Sequence, residues 1–150
     1  MPDFQIRRLR RSDLGRMREL NQVFATAFED PKTYAKKPSS RYVGRLLGSK
    51  QLVVLAALVD GAVVGGLVAY VLEKLERERS EVYLYDLAVA QPFRRRGIAR
   101  GLILALKKAA KRLGAYVIFV QADRPDRPAI ALYTSMGVRE EPLHFDIKVG

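Results

Sequence analysis

The sequence predicts an α/β chain of the α+β kind: a mixed, mostly antiparallel central sheet with helices on both faces. Three observations predict it. Two apolar, β-branched runs, residues 51–59 and 62–72, flank the dipeptide Asp60-Gly61. A third such run, residues 80–90, passes through a basic loop straight into a helical repeat. Helical periodicity also appears before the first run and after the third, so helices are available for both faces of the sheet.

The elements follow in order. Residues 9–28 read as an amphipathic helix, with Ser12 as N-cap and Leu14, Met17, Leu20, Phe24 and Phe28 at helical spacing. Ser39 or Ser40 caps a second short helix that ends at Leu47 and turns Tyr42, Val43 and Leu46 inward. The period then changes to that of strands. Asp60-Gly61 favours a type I′ hairpin turn, because both residue types tolerate positive φ. Gly65-Gly66 inside the second strand marks a bulge or a close backbone approach. The charged run 73–79 is a loop, residues 80–90 are the third strand, and Gln91-Pro92 end it. Ile98–Arg112 is a helix with Leu102 and Leu106 on one side and Lys107, Lys108 and Lys111 on the other. Gly114 suits its C-terminus. Residues 115–121 form a short buried strand, and residues 128–136 a helix with Pro128 suited to N1 and Gly137 to C′. Residues 143–149 read as a final strand. The 150 residues show no repeat and no linker, and fit one domain.

Composition narrows the function. The chain has no cysteine, which excludes disulfides, thiolate metal sites and a cysteine nucleophile, and fits a reducing cytoplasm. Its one histidine, His144, is too little for a zinc site, so no metal is expected, and no nucleophile elbow accompanies it. His144 reads as a packing or substrate-side residue. The stretch MPDFQIRRLRR has charge but no apolar h-region behind it, and the apolar runs are too short or interrupted to span a bilayer. The net charge of +11 is uneven: residues 91–112 carry 8 Lys/Arg and no acid, whereas residues 61–90 carry 3 Lys/Arg against 5 Asp/Glu. That split suits a protein that holds an anion in one place and a cation in another.

The anion site is legible at Leu87-Ala88-Val89-Ala90-Gln91-Pro92-Phe93-Arg94-Arg95-Arg96-Gly97-Ile98-Ala99-Arg100. A strand runs into a basic loop, and the loop opens a helix. Free amides at a helix N-terminus, the helix dipole, one glycine and four arginines favour a pyrophosphate. Arg94-x-x-Gly97-x-Ala99 after Leu87-Ala88-Val89 resembles the acyl-CoA signature of the GNAT N-acetyltransferases, and the order of elements resembles that fold along nearly the whole chain. The resemblance implies acetyl-CoA as cosubstrate, loop residues 94–100 around its phosphates, backbone pairing of Leu87, Ala88 and Val89 with the pantetheine arm, and a sheet splayed at that site.

A narrower resemblance rests on Val71-Leu72-Glu73-Lys74, residues 80–89 (Ser-Glu-Val-Tyr-Leu-Tyr-Asp-Leu-Ala-Val), Leu113-Gly114-Ala115-Tyr116-Val117-Ile118, Val120-Gln121-Ala122-Asp123, Ala131-Leu132-Tyr133-Thr134 and His144-Phe145-Asp146-Ile147. These blocks look like the type I aminoglycoside 3-N-acetyltransferases, the gentamicin acetyltransferases. The resemblance implies direct transfer to the 3-amino group of a gentamicin-type antibiotic, conferring resistance.

Such a transfer needs a deprotonated amine, a stabilised oxyanion and a proton for the leaving thiolate. Asp86, a carboxylate in an apolar and aromatic strand, is the candidate proton acceptor or orienting group; its alternative is an ion pair with an arginine. Tyr133 is the candidate acid by resemblance, and on its spacing alone a core residue. A polycationic acceptor wants carboxylates, for which Glu81, Asp123, Asp126, Glu141 and Asp146 are available, with Tyr83 on the Asp86 strand. Glu140-Glu141 reads equally as a solvated surface pair. The competing readings are acetylation of polyamines or protein amines, and a basic nucleic-acid-binding domain. Against the latter, the arginines gather at one strand–helix junction and no aromatic ribonucleoprotein motif or zinc-finger spacing appears, so neither nucleic acid nor membrane is an expected partner. A homodimer is common in folds of this kind, and the sequence does not locate an interface.

Overall fold

A computed structural model describes residues 3–150 of the chain. Its elements are β1 (Gln5–Arg8), α1 (Leu14–Ala27), α2 (Pro31–Tyr34), α3 (Ser40–Leu47), β2 (Leu52–Val59), β3 (Ala62–Glu73), β4 (Ser80–Val89), a 3-10 turn (Gln91–Phe93), α4 (Ile98–Arg112), β5 (Ala115–Val120) and α5 (Arg127–Met136). The strands form one open sheet in chain order, antiparallel from β1 to β4 and parallel between β4 and β5.

The β2–β3 hairpin sets the register of the sheet. Asp60 and Gly61 have φ of 49° and 81°, the left-handed pair that a type I′ turn requires, and Val59 faces Ala62 across it. Gly65 and Gly66 are close approaches beside a bulge. A Cβ on Gly66 would lie 2.5 Å from the Leu55 carbonyl oxygen and 2.6 Å from Leu20 Cδ1, and one on Gly65 would lie 2.9 Å from the Ala88 carbonyl oxygen. The register shifts next to them, between Ala57 and Leu58. These two glycines let α1 settle on β3 and β4 close against it.

Alternation along β2 sends successive residues to two cores. Val53, Leu55 and Ala57 join Leu67, Leu84 and the α4 residues Ile98, Leu102 and Leu106 on one face. Leu52, Val54 and Ala56 join Leu20, Phe24, Val43 and Leu47 of α1 and α3 on the other. Helices thus cover both faces, as the sequence predicts. α4 has the predicted bounds, and Gly114 past its end has φ of 76°.

The structure corrects several expectations. Residue 9 is not helical: the Leu9 amide donates to the Val54 carbonyl at 2.9 Å, which prolongs the pairing of β1, a strand the sequence reading omits. α1 begins at Leu14 with Asp13, not Ser12, at the N-cap. Buried Asp13 accepts from the Arg10 amide at 2.8 Å and sits 3.4 Å from both Arg7 and Arg16, so it ties the strand to the helix. α2 is a further omission, capped by Asp30 through the Thr33 amide. In α3, Ser39 caps as expected, but Leu47 is buried with Val43 while Tyr42 is exposed. At α5, Asp126 is the N-cap, Arg127 comes before Pro128, and Gly137 is extended rather than left-handed. The expected strand at residues 143–149 does not form: residues 138–150 carry no regular structure. Among the described residues no helix is long and apolar enough to cross a membrane.

Candidate active site

The site lies where β4 and β5 part. Their pairing stops at Leu84 and Val120, whereas β4 runs on to Val89. From Tyr85 to Val89 the β5-facing edge of β4 is therefore bare, and its peptide groups are free to pair with an extended ligand. The sheet is open there, and Leu87, Ala88 and Val89 lie along the bare edge.

The loop beyond β4 is shaped for an anion. Arg95 and Gly97 have φ of 64° and 79°, which turns successive amides to one side. None of the amides of residues 95–100 donates to a backbone carbonyl. Those of Ile98, Ala99 and Arg100 are the free first-turn donors of a 15-residue helix. Nothing approaches within 4 Å of where a Gly97 Cβ would stand, so the glycine answers to its left-handed backbone rather than to crowding. The arginine side chains divide their work. Arg94 Nε donates to the Val89 carbonyl at 2.9 Å. Arg96 reaches Asp3 at 3.3 Å and lies over the Phe93 ring, and Arg100 donates to Ser135 Oγ at 3.2 Å. Arg94 therefore fastens the loop to the strand.

Asp86 sits at a bulge. Val68 faces Asp86 but the next residue, Ala69, faces Leu84, so Tyr85 is the extra residue. A bulge of this kind turns two successive side chains to one face. Tyr85 packs edge-on to Tyr70 at 5.7 Å and to Tyr83 at 5.3 Å, and Tyr83 stacks on Phe119 at 4.6 Å. The result is an aromatic floor across β3, β4 and β5, with Asp86 at its inner end. Tyr83 is fixed there by donating to Gln121 Oε1 at 2.8 Å.

Among the described residues the Asp86 carboxylate has no ion pair, so the arginine-pairing alternative is not what the structure forms. Burial alone raises its pKa above the ordinary 3.8. Three phenols register its charge. Burial, then Asp86 and Asp30, push Tyr34 up to about 12. Burial and then Asp86 raise Tyr70; burial, then Tyr85 and Asp86, raise Tyr83. Tyr34 and Tyr70 were missed by sequence reasoning, because neither belongs to a motif and Tyr34 arrives on the unforeseen α2.

Tyr133 lies on α5, half-buried against the α4-side core, and burial followed by the charge of Asp126 pushes its phenol up to about 12. Asp86 belongs to the α1 side of the sheet and Tyr133 to the α4 side, with the bare edge of β4 between them.

The remaining carboxylates are not gathered at Asp86. Glu81 pairs with Lys74 at 3.0 Å near the start of β4. Asp126 caps α5 by accepting from the Ala129 amide at 3.3 Å. Glu141 pairs with Arg139 at 2.8 Å. Asp146 lies 2.9 Å from His144 on the exposed C-terminal segment. Asp123 follows β5 at the open end of the sheet and is exposed. A cleft of about 230 Å³ between α1 and the segment around α2 includes Tyr34, but Arg18, Lys36 and Lys37 also line it. Among the described residues no three of His, Cys, Asp or Glu form a metal-holding group.

Comparison with known proteins agrees with this geometry. An aminoglycoside acetyltransferase from an uncultured soil metagenomic sample is 52% identical, with 98% of this chain and 99% of that chain covered and a TM-score of 0.96. A second, also from an uncultured soil metagenomic sample and solved in complex with sisomicin, is 33% identical over 99% of this chain and 97% of that chain, with a TM-score of 0.91. A ribosomal-protein-alanine N-acetyltransferase from Brucella melitensis biovar Abortus 2308, 24% identical over 98% of this chain and 99% of that chain with a TM-score of 0.76, shares the fold. No curated protein sequence matches significantly. The profile of the Acetyltransferase (GNAT) family matches residues 16–138. The chain belongs to the GNAT acetyltransferase family.

Proposed function

We propose that the chain transfers an acetyl group from acetyl-CoA to an amine of an aminoglycoside, at the 3-amino group of gentamicin-type compounds, and that in the cytoplasm this confers resistance. The observation that carries the proposal is an unpaired, half-buried carboxylate, Asp86, at the end of a tyrosine floor and beside a bare strand edge. A floor of phenol rings with one free carboxylate suits a cationic sugar, through ring-face contact and charge together. The relatives at 52% and 33% identity, both aminoglycoside acetyltransferases, support the same acceptor class. The basic cleft at Arg18, Lys36 and Lys37 is a poor place for a polycation, so the acceptor belongs on the floor.

The residues fit the cosubstrate. The free amides of residues 95–100 would hold its phosphates, and the backbone of Leu87, Ala88 and Val89 its extended arm. Acetyl-CoA supplies an activated acetyl group as a thioester. Asp86, whose raised pKa makes it a better base than an ordinary carboxylate, takes the proton from the acceptor ammonium directly or through a water. As the new C–N bond forms and the C–S bond breaks, Tyr133, its phenol pushed up to about 12 and so protonated at neutral pH, gives its proton to the departing sulfur and regains one from the nitrogen of the new amide. With no cysteine in the chain, transfer is direct between the two bound substrates.

The test is thiol release from acetyl-CoA with gentamicin, sisomicin, kanamycin, spermidine and a lysine peptide. Release with gentamicin and sisomicin, with product NMR placing the acetyl on the 3-amino nitrogen, is expected. Release confined to spermidine or the peptide would keep the reaction and discard the antibiotic.

A further inference from the structure

The arginines of the phosphate loop do not exhaust the basic charge of the chain. Residues 31–50 carry six Lys/Arg and no Asp or Glu. Folding sets four of these beside two more from the α1 region. Two clefts meet at the start of α3, where Pro38 lines one and Ser39 the other. The first, of about 230 Å³, is lined by Arg18, Lys36 and Lys37. The second, of about 410 Å³, is lined by Arg11, Arg41 and Arg45. No carboxylate lines either cleft. Among the described residues none of these six cations forms an ion pair. Two acids on the adjoining elements are engaged elsewhere: Glu19 accepts from the Val63 amide and Asp30 from the Thr33 amide. Arg18 donates to Ser40 Oγ at 3.0 Å and so ties α1 to α3 between the clefts. Tyr42 borders the second cleft, 50% exposed, with the Arg45 guanidinium 5.3 Å from its ring centroid. α3 packs on the face of the sheet opposite α4, so this surface is separate from the loop amides that would hold acetyl-CoA.

We propose that this face binds a single-stranded nucleic acid, with successive phosphates along the two clefts and a base stacked on Tyr42. Like charges gathered without counter-charges repel one another, and an anionic ligand relieves that repulsion. A backbone of repeated charges matches cations spread over two joined clefts, whereas a lone phosphate would fill only one. Of the large apolar side chains of α2 and α3 only Tyr42 is exposed, too little to anchor the face in a bilayer. The expectation that no nucleic acid is bound is thereby amended: the sequence shows the cations, but only folding brings those of α1, α3 and the segment between α2 and α3 to one face. This inference does not depend on the identity of the acetyl acceptor.

The experiment is fluorescence anisotropy of a labelled RNA strand of about 12 nucleotides, titrated with the full chain over a range of salt. Saturating acetyl-CoA is present throughout, so that the phosphate loop is occupied. Binding is expected, with log Kd rising against log salt at a slope of about 4 for six phosphate contacts. Arg41→Gln/Arg45→Gln should lower that slope by about 1.4, the share of two contacts on a single strand. Tyr42→Ala should weaken binding about tenfold and Tyr42→Phe should restore it, because stacking needs the ring and not the hydroxyl. Circular dichroism checks each variant, and Lys36→Gln/Lys37→Gln serves in place of the arginine pair should that pair misfold. The proposal is overturned if the strand does not bind in the presence of acetyl-CoA, or if the folded variants bind it as the wild type does. Inorganic polyphosphate that displaces the strand at equal charge would overturn it too, since the face would then read charge alone. So would binding to phosphatidylserine vesicles without binding to the strand.

Discussion

Arg94 donates from Nε to the carbonyl of Val89 at 2.9 Å, and this bond joins the end of β4 to the loop that opens α4. The strand that would pair with the arm of the cosubstrate and the amides that would hold its phosphates are thereby fixed to each other. Arg94→Ala should raise the KM for acetyl-CoA about tenfold, the loss of roughly 1.4 kcal/mol, with little change in kcat. Arg94→Lys should not restore it, because an ammonium head lacks the Nε donor along its stem. Steady-state kinetics at saturating acceptor measure both.

Burial raises the Asp86 pKa without a compensating partner, and this has a consequence for stability. A carboxylate whose folded pKa exceeds its unfolded value favours the fold below the unfolded pKa and loses that advantage as pH rises through the folded one. Asp86→Asn should therefore melt higher than the wild type at neutral pH, and the two should converge as pH falls toward the ordinary carboxylate range. Thermal unfolding across an acidic pH series would show the convergence.

Tyr133→Phe keeps the ring that packs on the α4-side core and removes only the hydroxyl. A drop in kcat of about 100-fold, the lower range for a general acid, is expected with an unchanged Tm. Because the phenol titrates at about 12, the wild type should show no alkaline loss of kcat attributable to it below that pH.

The glycines separate architecture from ligand binding. Gly66→Ala brings a methyl to within 2.5 Å of the Leu55 carbonyl oxygen and should destabilise the fold by about 1–3 kcal/mol. Gly97→Ala meets no neighbour, but its φ of 79° strains any other residue by about 1–2 kcal/mol. Its main effect should be weaker acetyl-CoA binding, read by titration calorimetry, since relaxing the strain turns the loop amides away.

The local signals in the sequence were strong where chemistry and fold coincide. Asp60-Gly61, Gly65-Gly66 and the strand–loop–helix at residues 87–100 each encode a backbone requirement that few other residues meet, and all three appear as expected. β1 was hidden because Gln5–Arg8 is mostly polar; pairing with β2 makes it a strand, not its own pattern. α2 is four residues long and has no buried face to announce itself. Residues 143–149 alternate as a strand would, but alternation alone does not make one: among the described residues they pair with no strand and carry no regular structure. Asp86 was legible as a carboxylate among apolar residues. The tyrosine floor was not, because a bulge that places Tyr85 beside Tyr70 and Tyr83 is a register event between strands and leaves no mark in one strand's sequence.

The central claim is that Asp86 takes the proton of an aminoglycoside amine, and the pH dependence of kcat/KM with a gentamicin-type acceptor tests it most directly. The wild type should gain activity as pH rises through a pKa above 3.8, and Asp86→Asn should lose about 10²–10⁴-fold and the acid limb with it. An Asp86→Asn enzyme with the wild-type profile and rate would contradict the account.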